Sequence, residues 1–254
     1  MSANRRTWLQ AAGATLAGLW LSGCDRLTRS TKFMGFIGSA ENLNRQVQRA
    51  VADRTALARE FPASMISPDF RANGTRSPQD AEYVAMRDAG FADYRLVIDG
   101  LVERPLALSL AELRAEPART QITRHDCVEG WSSIGKWTGA KLGPLLDKAG
   151  LKAEARYLVF HCADSLAAGP DGRYYESIDL VDAYHPQTIL AYEMNDAALP
   201  VPHGAPVRLR VERQLGYKQA KYVMRIEAVE GFAHLHGGKG GFWEDRGYEW
   251  YAGI

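Results

Sequence analysis

Cysteine is scarce in this 254-residue chain. The three present, Cys24, Cys127 and Cys162, are too few for a disulfide framework. Neither sign of charge is in excess: 31 Lys and Arg face 30 Asp and Glu, for a formal net charge of +1. That balance offers no basic field for nucleic acid and no partner surface of one strong sign. The apolar run near the N-terminus, Ala11 to Leu21, is broken by Gly13 and Gly18. It falls short of the roughly 20 apolar residues that a spanning helix needs. No internal repeat, no low-complexity block and no Cys-x-x-Cys-His haem attachment occurs. What remains is a chain with 46% hydrophobic residues, enough for the core of one domain of moderate size behind a leader.

The N-terminus reads as an address. Asn4-Arg5-Arg6-Thr7-Trp8-Leu9-Gln10 is a polar start with paired arginines, Ala11 to Leu21 is a short apolar region, and Leu21-Ser22-Gly23-Cys24 closes it. This three-zone order is that of a secretory signal; the alternative is an ordinary hydrophobic N-terminal helix. The paired Arg before an aromatic residue and Leu resembles a twin-arginine signal. The Leu-Ser-Gly-Cys end resembles a bacterial lipobox, in which the cysteine is lipidated and becomes the first mature residue. Residues 1–24 are therefore expected to be a leader cleaved before a lipidated Cys24. The protein would then sit on the periplasmic side of the cell envelope, with Asp25 favouring the inner membrane. Residues 25–60 read as a polar tether, Asp25 to Ser39, followed by a helix in Glu41 to Glu60 with Leu43, Val47, Ala50, Val51 and Leu57 near helical spacing. Pro62 and Pro68 break the pattern. Residues 61–254 are expected to form one catalytic domain.

Within that domain the pattern predicts short elements. Tyr94–Ile98 reads as a strand and Ser109-Leu-Ala-Glu112 as a capping box that opens a helix. Thr138–Ala149 reads as a helix with Leu142, Leu145 and Leu146 inward and Gly150 at its end. Tyr157–Phe160, Thr188–Met194, Val207–Val211 and Lys221–Val229 read as strands. Strands outnumber helices without βαβ alternation, so the fold class expected is α+β, mixed and strand-rich.

Chemistry concentrates around Thr123-Arg-His-Asp-Cys127-Val-Glu-Gly-Trp131-Ser. A lone cysteine is by default a small buried hydrophobe. Here polar residues surround it, Arg124 and His125 are cations that favour a thiolate, and a soft thiolate suits a redox metal.

Three blocks resemble the sulfite oxidase-type molybdopterin-binding family, in particular its bacterial periplasmic branch typified by the molybdenum methionine sulfoxide reductase catalytic subunit. The first is Cys127-Val-Glu-Gly-Trp-Ser with Trp137-Thr-Gly and Leu142-Gly-Pro-Leu-Leu. The second is His203-Gly-Ala-Pro-Val-Arg208 with Gly216-Tyr-Lys-Gln-Ala-Lys221, and the third is Gly241-Phe-Trp-Glu-Asp-Arg-Gly-Tyr248. The resemblance covers roughly Phe70 to Ile254. It implies a sulfite-oxidase-type molybdopterin-binding fold and one molybdenum–molybdopterin per chain, with Cys127 as the metal's protein ligand and the catalytic cysteine. It also implies cofactor contacts from Phe70, Arg71, Asn73, Cys162, His203, Arg208, Gly216, Lys218, Gln219, Ala220 and Lys221. Arg208 suits a bidentate grip on the cofactor's phosphate and Lys221 a point charge, while Gly204 and Gly216 let backbone amides approach. The bland alternative makes Arg208 and Lys221 solvated strand residues. His234-Leu-His236 lacks a third ligand nearby and reads as a loop.

The implied activity is oxo transfer with two-electron redox on a small, sulfite-like or sulfoxide-like substrate. Electrons would be exchanged with a separate membrane haem protein or cytochrome, and a monomer is expected. The sequence departs from the reductase branch at His203, where that branch has Asn. It departs from the sulfite oxidases by lacking their Ala-Gly-Asn-Arg-Arg continuation. Two other readings stand beside this one: a cysteine enzyme without molybdenum, with His125 or another histidine as base, and a non-catalytic lipoprotein binding module on the same fold.

Overall fold

The structure, a computed structural model, describes residues 29–51, 53–169 and 172–254. Arg5, Arg6 and Cys24 lie outside the described residues. Contacts divide the chain into one unit up to Ala52 and a second, Asp53–Ile254.

The first unit contributes helix α1, Thr31–Val51. The Ser30 hydroxyl accepts the Phe33 N–H at 3.3 Å, satisfying one of the first-turn donors that a helix leaves open. The stretch expected to be a tether is thus helical from Thr31 onward, and the helix stops at Val51 rather than reaching Glu60. Residues 53–61 belong to the second unit. Glu60 bridges Thr123, the Phe61 N–H reaches Ile122 O at 2.9 Å, and the Ala58 backbone pairs with the Gln187 side chain. No described helix is long and apolar enough to cross a membrane.

The second unit is α+β and strand-rich. Its helices are α2 (Ala81–Asp88), α3 (Leu110–Ala115), α4 (Leu142–Ala149) and α5 (Leu180–Ala183). Its strands are β1 (Arg95–Gly100), β2 (Leu106–Ser109), β3 (Ala118–Asp126), β4 (Ser132–Lys141), β5 (Tyr157–Ser165), β6 (Arg173–Asp179), β7 (Ile189–Met194), β8 (Ala197–Ala198), β9 (Arg208–Arg210) and β10 (Val223–Val229). One sheet runs β2-β1-β10-β5-β6 and the other β3-β4-β7-β8, with β9 also paired to β7. Only the β1–β10 pairing is parallel among them.

The apolar core lies against the first sheet, where Leu96, Ile98, Leu158, Phe160, Ile178 and Ile226 pack with Leu113, Leu142, Leu145 and Leu146 from the helices. Each such side chain contributes about 1.5–3 kcal/mol by leaving water. The α3 capping box forms as its sequence predicts, with Ser109 and Glu112 satisfying each other's backbone N–H. The α4 helix is shorter than its apolar spacing suggests. Thr138–Lys141 continue β4, because that strand pairs on both edges, with β3 and with β7. At Gly139 any side chain would collide with the Leu190–Ala191 backbone.

The second sheet has a different interior. β3 buries Gln121, Thr123 and His125, and β9 buries Arg208 and Arg210. The fully buried Trp137 of β4 lies under both guanidiniums, 4.4 Å from Arg210 and 5.0 Å from Arg208, ring centroid to Cζ. Arg210 donates to both carboxylate oxygens of the equally buried Glu212, Nε to Oε1 at 2.9 Å and Nη2 to Oε2 at 2.6 Å. It also donates to His125 Nδ1 at 3.1 Å. Removing one partner of a buried ion pair strands the other charge. Arg210→Ala is therefore expected to lower unfolding free energy by about 3–5 kcal/mol in urea denaturation. The paired Arg210→Met/Glu212→Met variant, which leaves no lone charge, should lose clearly less. Equal losses in both would show that the ion pair is not what the layer rests on.

Candidate active site

The β3–β4 hairpin ends in a tight loop that presents Cys127. The Cys127 N–H reaches Trp131 O at 2.9 Å, and the Gly130 N–H returns to Cys127 O at 3.0 Å. Gly130 holds φ at 86°, a conformation that favours glycine. Cys127 lies on the wall of a cleft of about 660 Å³ including its mouth. Asn73, Gly74 and Thr75 line one side, Asp164, Tyr174, Gln219 and Lys221 the floor, and Val128, Glu129, Trp243 and Tyr248 the rim region.

Burial pushes the Cys127 thiol up, with the Glu129 carboxylate adding to the effect; backbone hydrogen bonds and the Arg71 guanidinium pull it back in part. The two cations expected to create a thiolate do not. Arg124 is exposed and paired with Asp126 at 2.9 Å. His125 is driven far below the usual imidazole range by burial and by Arg210 and Arg208. With Nδ1 accepting from Arg210, its Nε2 carries the proton and faces Gln219 Oε1 outside hydrogen-bond geometry. A neutral, buried histidine committed to Arg210 is no base for Cys127. The cysteine-nucleophile reading therefore loses the support of Arg124 and His125 for its thiolate and of His125 as its base, and no other histidine is among the described lining residues of the cleft, whereas a metal ion deprotonates a thiol by binding it.

The expected cofactor residues divide into three groups. Asn73, Gly216, Gln219 and Lys221 line the Cys127 cleft. Gly216 can do so only without a side chain, since a Cβ would lie 2.5 Å from His125 Nε2. Behind the cleft, Phe70 is a hub of ring contacts with Trp137, His203 and His125 at 5.3–5.7 Å between centroids. Arg71 lies over the Trp131 ring at 5.3 Å. Arg208 is buried, and its Nη1 and Nη2 donate to His203 O and Gln219 O at 3.0 and 3.3 Å. Ala220 is buried, its carbonyl accepting from Leu209.

Lys218 and Cys162 point elsewhere. Lys218 is enclosed by Glu176 at 2.5 Å and Glu244 at 2.6 Å, and burial, with the Glu244 carboxylate adding to it, raises Glu176 well above the usual range. Cys162 borders a separate pocket with His161, Tyr175 and His236, the last stacked on Tyr175 at 4.3 Å. Two residues along β5, Asp164 takes the place in the Cys127 cleft that sequence had suggested for Cys162. Asp164, Thr75 and Tyr174 were not legible as site residues; Tyr217 falls in the second motif block, and Trp243 and Tyr248 in the third.

The solvated-strand alternative fails for Lys221 as it does for Arg208. The Lys221 ammonium is buried on three backbone carbonyls: Asn73 at 2.6 Å, Thr75, and Pro202 at 3.1 Å. Gly204, at φ 111°, permits this, because a Cβ there would lie 2.9 Å from Lys221 Cβ and 3.1 Å from Arg208 Cβ. Burial comes first among the causes that lower this cluster, followed by repulsion from Arg210 at Arg208 and from Arg208 at Lys221 and His203. Arg208 falls to about 9, Lys221 to about 7 and His203 to about 4.

The profile of the oxidoreductase molybdopterin binding domain matches residues 83–234. The chain belongs to this family. It is 37% identical over 250 residues, 98% of this chain and 87% of the relative, to the protein named "Putative protein-methionine-sulfoxide reductase subunit YedZ1" of Azospira oryzae. It is 33% identical to the protein-methionine-sulfoxide reductase catalytic subunits MsrP of Campylobacter jejuni, over 53% of this chain, and Xanthomonas campestris pv. campestris, over 58%. These alignments span 48% of each MsrP, about half its length. Among solved structures, the sulfane dehydrogenase SoxCD of Paracoccus pantotrophus is similar with a TM-score of 0.49 and 27% identity, over 55% of this chain and 39% of that one. The chain is thus a molybdopterin-binding oxidoreductase of the methionine sulfoxide reductase-like kind.

The residues present fit that cofactor. The cleft joins a soft sulfur donor to the buried Lys221 cation, with Arg208 behind it, and buried polar atoms in and behind the cleft, Gln219 Oε1, Arg208 Nε and His125 Nε2, have no hydrogen-bond partner. Buried polar atoms are normally satisfied, and a polar heterocycle with a phosphate tail would supply partners.

The sign of the Lys221 shift makes this testable. Its pKa in the fold is about 7 against an ordinary 10.5, so between those values the unfolded chain binds the extra proton. The penalty of charging Lys221 is complete below pH 7 and is relieved as pH rises through that window. Cofactor-free protein should accordingly gain stability between pH 7 and 10 in urea titrations, and Lys221→Met should flatten that rise. An unchanged slope in the variant would locate the effect in another group.

Proposed function

We propose that this chain reduces a sulfoxide of the methionine sulfoxide type, with Cys127 as the thiolate ligand of one molybdenum held by molybdopterin and with electrons supplied by a separate membrane haem protein or cytochrome. The observation that carries the choice of substrate is the charge of the cleft. Among its described lining residues the only cation is Lys221, and its three N–H donors are already on carbonyls. The same lining holds two acids, Glu129 near Cys127 and Asp164 deeper, and the apolar Val128, Trp243 and Tyr248. A doubly charged oxyanion such as sulfite finds no free guanidinium there. A neutral S-oxide with an apolar substituent meets matching surfaces.

When bound, the cofactor supplies the two-electron chemistry. The chain's part is to orient and shield. Cys127 ligates from the hairpin loop. Gly216 and Gln219 bring backbone and amide groups to the cleft, and Asn73 to Thr75 form a wall pinned by Lys221. Arg208, from behind the cleft, and Lys221 within it give a positive field for a phosphate, Arg208 with its Nε still open. Phe70 and Arg71 support the wall through rings, and the His125–Arg210 contact fixes the hairpin from below.

The decisive assay is anaerobic turnover of methionine sulfoxide with reduced viologen as electron donor, run beside sulfite oxidation, on natively exported protein with metal analysis. About one molybdenum per chain is expected. Cys127→Ala should lose turnover by orders of magnitude, and Cys127→Ser should keep some metal through its oxygen with little activity. Wild-type turnover in Cys127→Ala would sink the assignment, and faster sulfite oxidation than sulfoxide reduction would reverse the substrate.

The same reading places the protein on the periplasmic face of the inner membrane. A lipidated Cys24 provides buried methylenes worth ~0.8 kcal/mol each, and tethering raises the effective concentration of a membrane electron donor. Cys24→Ala should move the protein out of the washed membrane fraction, or leave it there with an uncleaved leader, while viologen-driven turnover persists. Wild-type protein in the soluble periplasmic fraction with a start other than Cys24 would exclude the lipid anchor.

A further inference from the structure

Reduction of a sulfoxide consumes two protons: R2S=O + 2 e⁻ + 2 H⁺ gives R2S + H2O. The cleft must therefore hold a group that delivers a proton as the S–O bond breaks. Most proton-bearing groups of its lining are engaged. The Lys221 ammonium has its three donors on Asn73, Thr75 and Pro202 carbonyls. The Tyr174 hydroxyl donates to Tyr217 O, and the Tyr217 hydroxyl to Glu249 O at 2.6 Å. Glu129 is exposed and accepts from Trp131 Nε1 at 2.9 Å. Tyr248 lies at the mouth, 38% exposed and stacked on Trp243.

Asp164 differs from all of these. It sits near the end of β5, only 3% exposed, on the floor of the same cleft as Cys127. The Thr75 hydroxyl is hydrogen-bonded to its carboxyl group, while Oδ1 is buried without any protein partner. An acid oxygen buried in this way, within a cavity, is placed to exchange a proton with whatever occupies the cavity.

We propose that Asp164 is the proton donor of this site: its carboxylic acid gives a proton to the departing substrate oxygen and is recharged from water through the mouth of the cleft. The role rests on the sulfoxide reductase reading. The second proton comes from solvent, and both electrons come from the haem-type donor, or from reduced viologen in the assay. The groups that face Asp164 are Lys221 and Tyr222 ahead of β10, Tyr83 on α2, Tyr174 on β6 and Cys162 on its own strand. Of these only Lys221 favours the carboxylate. Burial outweighs it together with the Thr75 bond, and lifts Asp164 to about 6, close enough to neutrality for the acid to be populated and to re-form in each cycle.

The test uses holoenzyme carrying Asp164→Asn or Asp164→Glu. Molybdenum and extractable pterin are measured first, and then kcat for methionine sulfoxide with reduced viologen from pH 5 to 9. The wild type should lose kcat as pH rises through the donor's titration. Asp164→Asn should keep full cofactor content, turn over about 10²–10³-fold more slowly and show no such limb. Asp164→Glu should recover part of the rate with a displaced limb. A wild-type rate and pH profile in Asp164→Asn would overturn the role. So would loss of pterin from that variant, which would make Asp164 a cofactor anchor instead. Wild-type protein without molybdopterin would overturn the underlying function and not the donor assignment alone.

Discussion

The buried pairing of Arg210 with Glu212 is the constraint on which the site depends. Two charged side chains with no solvent exposure are stable only when their geometry and remaining hydrogen bonds are nearly complete. Here the guanidinium reaches both carboxylate oxygens, a His125 nitrogen and the face of Trp137, and Gln121 adds a donor to Glu212 at 2.8 Å. The pair thereby fixes β9 against β3 and β4. It sets the tautomer of His125 and leaves room for the Gly216 backbone above that ring. The hairpin loop that begins two residues after His125 carries Cys127, so the position of the proposed metal ligand follows from an ion pair that does not line its cleft.

Arg208 and Lys221 serve the site in a related way. In most anion sites, guanidinium and ammonium groups aim their donors at the ligand. Here they aim at backbone carbonyls, Arg208 at His203 and Gln219 and Lys221 at Asn73, Thr75 and Pro202. Each is a tie that shapes a wall of the cleft. Their charges still act through space, and desolvation strengthens that field even where no donor is free. The same arrangement leaves Lys221, the one cation among the cleft's described lining residues, with no donor free to grip an oxyanion.

This division explains what was legible in the sequence. The apolar elements were: β1, β5, β7 and β10 are Val-, Ile- and Leu-rich, and the Ser109–Glu112 capping box states its own geometry. β3 was not, because Ala118–Asp126 alternates buried Gln121, Thr123 and His125 with polar exposed neighbours, and a strand polar on both faces has no hydrophobic period. The α4 spacing was read too far upstream because small residues such as Gly139 and Ala140 fit either period until a partner strand decides. At the site, motif blocks found Cys127, Asn73, Gly216, Gln219 and Lys221 in the cleft. They could not show that Lys218 turns to Glu176 and Glu244, since neighbouring residues of a 3-10 turn diverge. Nor could they show that Asp164, rather than Cys162, lines the Cys127 cleft. The burial that gives Asp164 its character is a property of the assembled fold.

The unsatisfied floor also connects cofactor binding to folding. Arg208, Lys221 and His203 are each pushed toward neutrality by burial first, and then Arg208 by Arg210 and the other two by Arg208, so the fold carries a repulsion among buried cations that an anion would relieve. A ligand that binds only the native state stabilises it by mass action, and here the anionic tail would act on the least comfortable part of the structure. The loops that Lys221 pins, Asn73–Thr75 and the turn at Pro202, are walls of that site. Loading the cofactor and consolidating the cleft are then one process. A chain built this way is best completed where the cofactor is made. That is the physical sense of the proposed twin-arginine leader, since its route carries proteins that have already folded.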